Sequence, residues 1–411
     1  MPLVACTALL AAVGCSDPEV AVDEVADTTV TSADSAASAA SAASAAPVGP
    51  EELAAGDDLY AVPDPIPEGE HGDLVRYQLI DEDIDGVAAY RIMYLSESLQ
   101  GEPIVVTGTA LVPEAEAPDG GWPVIAHSHG TTGLADGCAP SKGFPERSGE
   151  LTLLSSVADR YVVAATDYEG LGTPGLHPYL VGESEGRSTM DAARAVAQLP
   201  GVETSPTTFI AGYSQGGHGA LWANQVAGTW TPELDVLGAF SGAPPGEFPL
   251  IGQVASQGGL AGGFFMLIAA GIAAAYPDAH VEDILTPEGV EALAVADEAC
   301  VGDALQSLSA GGFVRVDPNT VEPWGELLEA TNPGDIRADG PVLIVHSEAD
   351  DVVPAALSAA ILDRQCAVGQ VVERRTLPSG SHGEAAPGAY AQAFEWFDGL
   401  LAGAEPVASC P

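Results

Sequence analysis

The sequence has very little positive charge. Lys142 is its only lysine, and 12 basic residues stand against 59 acidic ones among 411, which gives a formal net charge of −47. A protein that binds nucleic acid through phosphate contacts needs a basic face, and so does a polybasic module that binds an anionic membrane surface. The composition excludes both classes, so we expect an anionic surface and no nucleic-acid partner.

A bilayer-length apolar run is also missing from the N-terminus. Residues 3–14 are apolar and small, but a membrane span needs roughly 17–25 residues, so this run fits the hydrophobic region of a signal peptide. Cys15 follows Ala12 and Gly14, as in a bacterial lipoprotein signal, where that cysteine is lipidated. We expect 1–15 to be a signal peptide and the protein to be exported, either secreted or tethered in the cell envelope through lipidated Cys15.

Residues 16–58 contain no basic and no aromatic residue, but ten acidic residues and an Ala/Ser repeat. Such a segment cannot bury enough apolar surface to offset the entropy that ordering would cost. We predict a disordered tether over 16–58 and a folded body over 59–411. Because 49 of the 59 acidic residues then belong to the body, the anionic character is a property of the folded part.

Cysteine is scarce, with six in the whole chain. Cys6 would leave with the signal peptide and Cys15 would carry lipid. An even number of cysteines in an exported body predicts two disulfides, in any of three connectivities, and the alternative is four free thiols. The four cysteines concerned are Cys138, Cys300, Cys366 and Cys410.

The body shows two patterns of apolar residues. Residues 72–114 are typical of antiparallel strands, and from 122 onward apolar strands alternate with helical stretches, which predicts an α/β fold with a mostly parallel sheet covered by helices. The interval 245–335 has no clear strand. Its apolar stretch 258–276 fits a buried helical insertion better than a transmembrane helix, because four glycines lie in its first half and Pro277 follows it. The later predicted strands are 122–130, 161–168, 207–214, 234–242, 341–350 and 371–380, and the predicted helices are at about 146–159, 184–199, 215–228, 355–364 and 386–402.

Residues 212–216 read Gly-Tyr-Ser-Gln-Gly between a predicted strand and a predicted helix. In that context Ser214 lies on a turn so sharp that neighbouring side chains would clash, which exposes its hydroxyl as a nucleophile. The following helix N-terminus stabilises developing negative charge. A bare motif leaves open a glycine-rich turn with an incidental serine, but the strand before it and the helix after it favour catalysis.

A serine nucleophile needs a base that a third group orients. Asp350 ends the predicted strand 341–350, and His382 follows the last strand in a glycine- and serine-flanked loop. The order Ser, Asp, His is the one expected of an α/β-hydrolase. Only His382 among eight histidines follows the acid, so we predict His382 as the base and Asp350, rather than Asp351 or Glu348, as the acid.

The oxyanion hole is expected to use the backbone N–H of Gln215 and a second N–H from the loop after strand 122–130. We choose Thr131 in that loop, and its hydroxyl would add a third donor. His127 and His129 are spaced like metal ligands, but no cluster of acids or cysteines supports such a site. We therefore expect no metal and no cofactor.

Six blocks of sequence stand in order along the body. They are HSHGTTG, CAPS at 138–141, DYEGLGTPGLHPYL at 167–180, GRSTMDAARA at 186–195, GYSQGGHGALWA at 212–223 and HSEADDVVP at 346–354. Together they resemble the secretory lipase family, the fungal lipase A type and its bacterial relatives, over about 120–400. The resemblance implies an α/β-hydrolase fold with a helical cap over 245–335, and hydrolysis of carboxylic esters such as acyl esters or triglycerides.

The resemblance also implies that Cys138 pairs with Cys300 and Cys366 with Cys410. The first of these disulfides would tie the oxyanion loop to the cap. The chain departs from the family pattern at Ser347, because glycine is usual before the acid.

From these features we expect a monomer that hydrolyses neutral esters by two-step acyl transfer, with the cap segment 260–272 lining the acyl pocket. A serine peptidase or an acyltransferase is the alternative enzyme, because a fold does not fix the leaving group. The remaining alternative is a catalytically dead, lipid-anchored binding protein, against which intact Ser214, Asp350 and His382 argue. The acidity fits either adaptation to salt, which screens repulsion between surface acids, or compositional drift.

Overall fold

Ten strands form one sheet that organises the folded body. The computed structural model describes residues 49–145 and 149–410, apart from the side chains at 82, 83 and 295. The predicted signal peptide, Cys15, residues 16–48 of the tether and the first residues of predicted helix 146–159 lie outside these. The strands are β1 (Glu51–Leu53), β2 (Leu74–Ile84), β3 (Val87–Glu97), β4 (Pro103–Pro113), β5 (Trp122–Ser128), β6 (Val162–Thr166), β7 (Thr204–Tyr213), β8 (Asp235–Gly242), β9 (Val342–Ser347) and β10 (Val372–Leu377).

The sheet has an antiparallel part, from β2 to β6, beside a longer parallel part, from β6 to β10. Its order is β1-β2-β3-β4-β6-β5-β7-β8-β9-β10, and β2, β3, β4 and β6 pair antiparallel. From β6 to β10 every pairing is parallel. Parallel strands place their carboxyl ends at one edge, so the segments that follow β5, β7, β9 and β10 are gathered there. The predicted α/β-hydrolase class is confirmed.

Helices cover both faces of the sheet because successive strand residues point to opposite sides. On one face, Phe209 of β7 packs in a cluster with residues of the second and last helices, and on the other face Ile210 packs with residues of the third and fourth. The two layers bury the apolar strands on both sides, as a parallel sheet requires. The helices are α1 (Pro140–Gly143), α2 (Gly149–Ser155), α3 (Gly182–Val196), α4 (Gln215–Trp230), α5 (Phe248–Val254), α6 (Gly259–Ala275), α7 (Pro287–Ala296), α8 (Val301–Leu308), α9 (Trp324–Ala330), α10 (Ala355–Ala367) and α11 (His382–Leu401).

The end of the predicted tether is part of the sheet. Glu51–Leu53 form β1, which pairs parallel with β2, and Gln78 of β2 donates its amide to the carbonyl of Ala54 at 2.7 Å. An unpaired edge of β2 would leave backbone groups without partners, and β1 supplies them. The prediction of disorder through residue 58 is therefore wrong for 51–53, where three residues without apolar alternation do not mark a strand.

The interval 245–335 consists of helices α5 to α9, which lie in the chain between β8 and β9. They share a cluster of buried apolar residues that includes Phe265 and Trp324, both fully buried. In the described part of the chain, no single helix meets the length and hydropathy needed for a membrane span. One pair of helical segments, Phe248–Gln257 and Gly259–Ala275, meets these criteria only together and bends by 120°.

Two disulfides form within the folded body, and they are the two that the family resemblance implies. Cys138 bonds to Cys300, 162 residues away, and Cys366 bonds to Cys410, 44 residues away. Beside the first disulfide, Gly133 and Cys300 form an isolated β-bridge. The loop after β5 is therefore joined covalently and by backbone pairing to the 245–335 insertion.

Candidate active site

Ser214 occupies the sharp turn between β7 and α4. Its backbone has φ 60° and ψ −123°, a conformation that a residue with a side chain rarely adopts. At two neighbouring glycines, Gly212 and Gly216, there is no room for a side chain. A Cβ at Gly212 would lie 2.0 Å from the carbonyl oxygen of Gly216, and a Cβ at Gly216 would lie 2.0 Å from that of Ser128. Glycine is therefore required at both positions for the turn that holds Ser214 in this strained conformation.

His382 and Asp350 are in direct contact. Nδ1 of His382 lies 2.7 Å from Oδ2 of Asp350, whose side chain is fully buried, while the His382 side chain is 16% exposed. Because Nδ1 bonds to the carboxylate, Nε2 is the ring nitrogen left to act as a base, and His382 lines the same cavity as Ser214. The acid and the histidine that the chain order predicts are thus brought together near the predicted nucleophile.

The position of His382 differs from the prediction in one respect. It is the first residue of α11 rather than a loop residue, and α11 begins four residues before the predicted start at 386. Ser381 and Glu384 form a capping box around this helix start. Asp351, the alternative to Asp350 as the acid, accepts a hydrogen bond from the backbone N–H of His382 at 3.0 Å. The His382 backbone is therefore held by the helix start and by Asp351, while Asp350 orients the ring.

Asp350 is held in its ionised form by more groups than the sequence indicated. Burial raises the pKa of this carboxyl, but the nearby His346 ring and hydrogen bonds from His382 and the N–H groups of Val352 and Val353 outweigh burial and bring the pKa well below its usual range. Nε2 of His346 lies 3.3 Å from Oδ2 of Asp350. The second histidine was missed, although its place on the strand four residues before the acid was a usable signal.

Ser347, which stands where the family pattern usually has glycine, makes two hydrogen bonds. Its hydroxyl donates to the carbonyl of Gly380 at 2.6 Å and accepts from the N–H of Ala349 at 3.2 Å. A glycine at this position could make neither bond. The serine therefore joins the turn that carries Asp350 to the loop that precedes His382.

The two predicted oxyanion donors lie at the ends of neighbouring strands. Gln215 is the first residue of α4, and Thr131 lies in the loop after β5 and lines the same cavity as Ser214. The Thr131 hydroxyl lies 2.8 Å from that of Tyr179. If the Tyr179 hydroxyl donates, the Thr131 hydrogen is free to point to a substrate oxygen, so the arrangement is compatible with the third donor expected from the sequence.

Glu150, on α2, is a cavity residue that sequence reasoning missed. Its Oε2 accepts a hydrogen bond from the backbone N–H of Gly130, directly before Thr131, at 2.9 Å. Burial raises the pKa of Glu150 to about 7, although the Gly130 hydrogen bond opposes the rise. No motif marks this residue in the sequence, because it reaches the oxyanion loop only through the packing of α2.

Two cavities meet at Ser214. One, of about 540 Å³, is lined by Ser214, His382, Glu150 and Thr131, and the other, of about 450 Å³, extends below the cap. Ser214, Phe264 and Val352 line both. Cap residues lining the second cavity are Leu250, Ile251 and Val254 of α5 and Leu260, Ala261, Phe264 and Ile268 of α6.

The predicted pocket segment 260–272 is only partly at this cavity. Its first nine residues supply the four α6 side chains named above, whereas Ile272 is fully buried in the core of the cap. An α-helix presents one side to a cavity, and the last turn of α6 turns its apolar side to other cap helices. The contribution of α5 was not predicted.

His127 on β5 and His129 directly after it have partners other than a metal. Nε2 of His127 lies 3.0 Å from the Tyr390 hydroxyl, and both ring nitrogens of His129 face backbone carbonyls, those of Gly130 and Asp167. Burial lowers the pKa of His127 to about 3. Over the residues that the structure describes, no group of three or more His, Cys, Asp or Glu side chains is arranged to hold a metal ion.

Comparison with known proteins points to one family. The family model described as secretory lipase matches residues 146–409. A secreted triacylglycerol lipase of Malassezia globosa is 27% identical over 349 residues, which cover 78% of this chain and 73% of that protein. A protein of Mycobacterium tuberculosis described as a probable inactive lipase is 26% identical over 337 residues, 75% of this chain and 72% of its own.

Solved structures share the fold. The crystal structure of Candida antarctica lipase A superimposes with a TM-score of 0.72 at 20% identity, over 83% of this chain and 84% of that chain. The cell-wall-degrading esterase LipA of Xanthomonas oryzae gives a TM-score of 0.65 at 19% identity, over 81% of this chain and 97% of that one. At these identities the likeness establishes the architecture.

Proposed function

Because the chain belongs to the secretory lipase family, we propose that it cleaves neutral carboxylic esters through an acyl-enzyme formed on Ser214. The protein is a carboxylic-ester hydrolase of the lipase and esterase type, as its family and its relatives indicate. The observation that supports the catalytic assignment is the strained Ser214 facing the same cavity as His382, whose ring is bonded to Asp350 at 2.7 Å.

The first half-reaction forms the acyl-enzyme. Nε2 of His382 takes the hydroxyl proton as the Ser214 oxygen bonds to the ester carbonyl carbon, and Asp350 stabilises the resulting imidazolium. The carbonyl oxygen gains a negative charge, which the N–H groups of Gln215 and Thr131 stabilise. The bond to the alcohol oxygen then breaks, and His382 returns its proton to the departing alcohol.

The second half-reaction uses water as the nucleophile. His382 removes a proton from water as it attacks the acyl carbon, and the Ser214 oxygen leaves and recovers that proton. The carboxylic acid is released and the enzyme returns to its starting state. No group beyond the chain's own residues and water takes part.

We assign the acyl chain to the cavity below the cap. This cavity is lined mostly by apolar side chains such as Leu260, Phe264 and Ile268, which suits a hydrocarbon. The other cavity, lined by Glu150 and Thr131 as well as His382, takes the alcohol half. An excess of acidic residues repels anionic substrates, so the substrates are neutral esters.

The protein acts outside the cytoplasm in this proposal. Relatives described as secreted support export. Lipidation of Cys15 and a membrane tether over the following residues are the specific form of export that we propose, with the body acting as a monomer and without nucleic-acid partners. Labelling of the protein with a radioactive fatty acid in its host, lost in the Cys15→Ser variant, tests the tether.

Replacement of the nucleophile tests the reaction. We expect Ser214→Ala to lower the kcat for p-nitrophenyl butyrate by a factor on the order of 10⁴ or more, because no other hydroxyl can form the acyl-enzyme. Circular dichroism and thermal melting should remain those of the unchanged protein. A variant with most of its activity retained sinks the assignment.

A substrate comparison separates the ester hydrolase from the alternatives. One preparation is assayed with p-nitrophenyl esters from C2 to C16, with peptide p-nitroanilides, and with esters in the presence of an acceptor alcohol. We expect hydrolysis of esters only, and loss of all activity after treatment with a fluorophosphonate. Cleavage of the anilides at a comparable rate would support a peptidase instead.

A further inference from the structure

Behind the nucleophile turn lies a buried polar cluster that the proposed mechanism leaves unused. Glu185 of α3, His177, and His218 of α4 are each fully buried, and Gln215 is 2% exposed. Such a group of polar side chains is costly to bury unless each is bonded. Because the cluster lies beside Ser214, we looked for a role of these buried side chains in the active site.

The hydrogen bonds fix how each side chain is oriented. Nδ1 of His177 lies 2.9 Å from the carbonyl oxygen of Glu169, which can only accept, so Nδ1 carries the proton and Nε2 is an acceptor. Burial lowers the pKa of His177 to about 4, which keeps the ring neutral. The Gln215 amide nitrogen lies 2.9 Å from that Nε2 and 2.8 Å from Oε1 of Glu185, so both of its hydrogens are used.

The same reasoning places a proton between Glu185 and His218. Nε2 of His218 lies 2.8 Å from the carbonyl oxygen of Thr331 and must donate to it. Nδ1 of His218 lies 2.7 Å from Oε2 of Glu185, and one proton is shared across this contact. The carboxylate of Glu185 therefore has a compensating partner and adds no uncompensated negative charge behind the oxyanion site.

From these contacts we infer that Glu185, which His218 orients, clamps the Gln215 side chain together with His177 and so fixes the direction of the Gln215 backbone N–H toward the substrate oxyanion. The inference rests on the proposed function, because it needs an oxyanion at Ser214. A backbone N–H at the start of a helix moves with its residue, and an amide held at both hydrogens prevents rotation of that residue. Preorganised donors of this kind supply much of the transition-state stabilisation.

An isosteric replacement separates bonding from packing. In Glu185→Gln, the amide oxygen accepts from Gln215 and Leu180 as the carboxylate does, and the amide nitrogen donates to Nδ1 of a neutral His218. We expect this variant to keep kcat within about threefold of the unchanged protein. In Glu185→Met, which has a similar volume but no such bonds, we expect kcat to fall about tenfold or more with KM within twofold.

Asp191 provides a matched control on the same helix. It is also a fully buried carboxylate with three partners, at 2.6 Å from His71, 2.7 Å from Ser96 and 2.8 Å from Trp230, and none of them lines either cavity at Ser214. Asp191→Met should lower the melting temperature as Glu185→Met does, while its kcat stays within twofold. Equal loss of kcat in both variants would show a structural role alone and overturn the inference.

A second variant tests the same inference if Glu185→Met does not fold. Gln215→Met keeps the backbone N–H and removes only the two side-chain donors, so kcat should fall about tenfold with KM little changed. Unchanged kcat in Gln215→Met overturns the inference. All comparisons use p-nitrophenyl butyrate, and absence of hydrolysis by the unchanged protein would instead count against the proposed function.

Discussion

Glu150 is the cavity side chain whose charge we expect to change near neutral pH. Its pKa in the folded protein is about 7, raised by burial, whereas an unfolded chain ionises glutamate near ~4.3. The folded state holds the proton more tightly between these values, so stability falls as pH rises from about 4.3 to about 7 and stays lower above that. Replacement by glutamine, which can still accept the Gly130 N–H, removes the cost.

We therefore predict that Glu150→Gln is more stable than the unchanged protein at pH 8, by on the order of 2 kcal/mol, and no more stable at pH 4.5. The measurement is urea denaturation of both proteins at several pH values. A stability difference that does not vary with pH would contradict the assignment of the titration to Glu150.

The sequence predicts individual site residues where their order along the chain determines where they lie in the fold. The ends of β7 and β9 and the segment after β10 meet at one edge of the sheet, so Ser214, Asp350 and His382 can be selected from the sequence. The contacts of His346, Ser347 and Glu150 depend on loop paths and on how α2 packs, which no local pattern encodes. The catalytic roles of the three selected residues stay a prediction.

Among the larger elements, the cap and the loop after β5 are joined at Cys300. The Val301 N–H donates to the carbonyl of Thr132 at 2.8 Å beside the Cys138–Cys300 disulfide, and Val301 lines the cavity of Ser214. We predict that Cys138→Ala with Cys300→Ala lowers both stability and kcat. The chain-entropy model gives ~5 kcal/mol of lost stability for a loop of this length, and kcat should fall several-fold because Thr131 is less firmly held.

The second disulfide is the control for that experiment. Cys366–Cys410 joins α10 to the C-terminal segment, and neither cysteine lines the cavities at Ser214. Its removal should cost ~4 kcal/mol by the same model and leave kcat unchanged at temperatures where the protein stays folded. Loss of kcat in both variants would show that the first disulfide has no special connection to the oxyanion loop.

Element boundaries were the weakest part of the sequence interpretation. The strands from β5 to β9 contain buried apolar runs that the sequence shows, and the cap is visible as an interval without a clear strand. β10, which reads VERRTL and is mostly half-buried, has no such run. β1 was missed because it has only three residues, Glu51–Leu53, and no apolar alternation. The predicted start of α11 at 386 is four residues late, because the helix begins at the capping box of Ser381 and Glu384, whose spacing is visible in the sequence.

Across the whole molecule, acidic residues greatly outnumber basic ones within the folded body. Residues 49–411 contain all 12 basic residues and 53 of the 59 acidic ones, since six acids precede residue 49. Several arginines are already shared between carboxylates, and Arg364 alone lies within 3.1 Å of Glu247, Glu329 and Asp335. With 12 basic residues for 53 acidic ones, most carboxylates have no basic side chain of their own to pair with, and repulsion among them opposes folding.

Salt should relieve this repulsion. We predict that the melting temperature and kcat at pH 8 rise between low salt and ~1 M NaCl, where the screening length falls to ~3 Å. The steepest rise is expected below ~0.15 M, because the screening length there is still comparable with the spacing of surface charges. Repeating the titration near pH 4.1, the sequence isoelectric point, provides the control. The salt effect should shrink there as carboxylates are protonated. A melting temperature that is insensitive to NaCl at pH 8 would leave compositional drift as the explanation of the acidity.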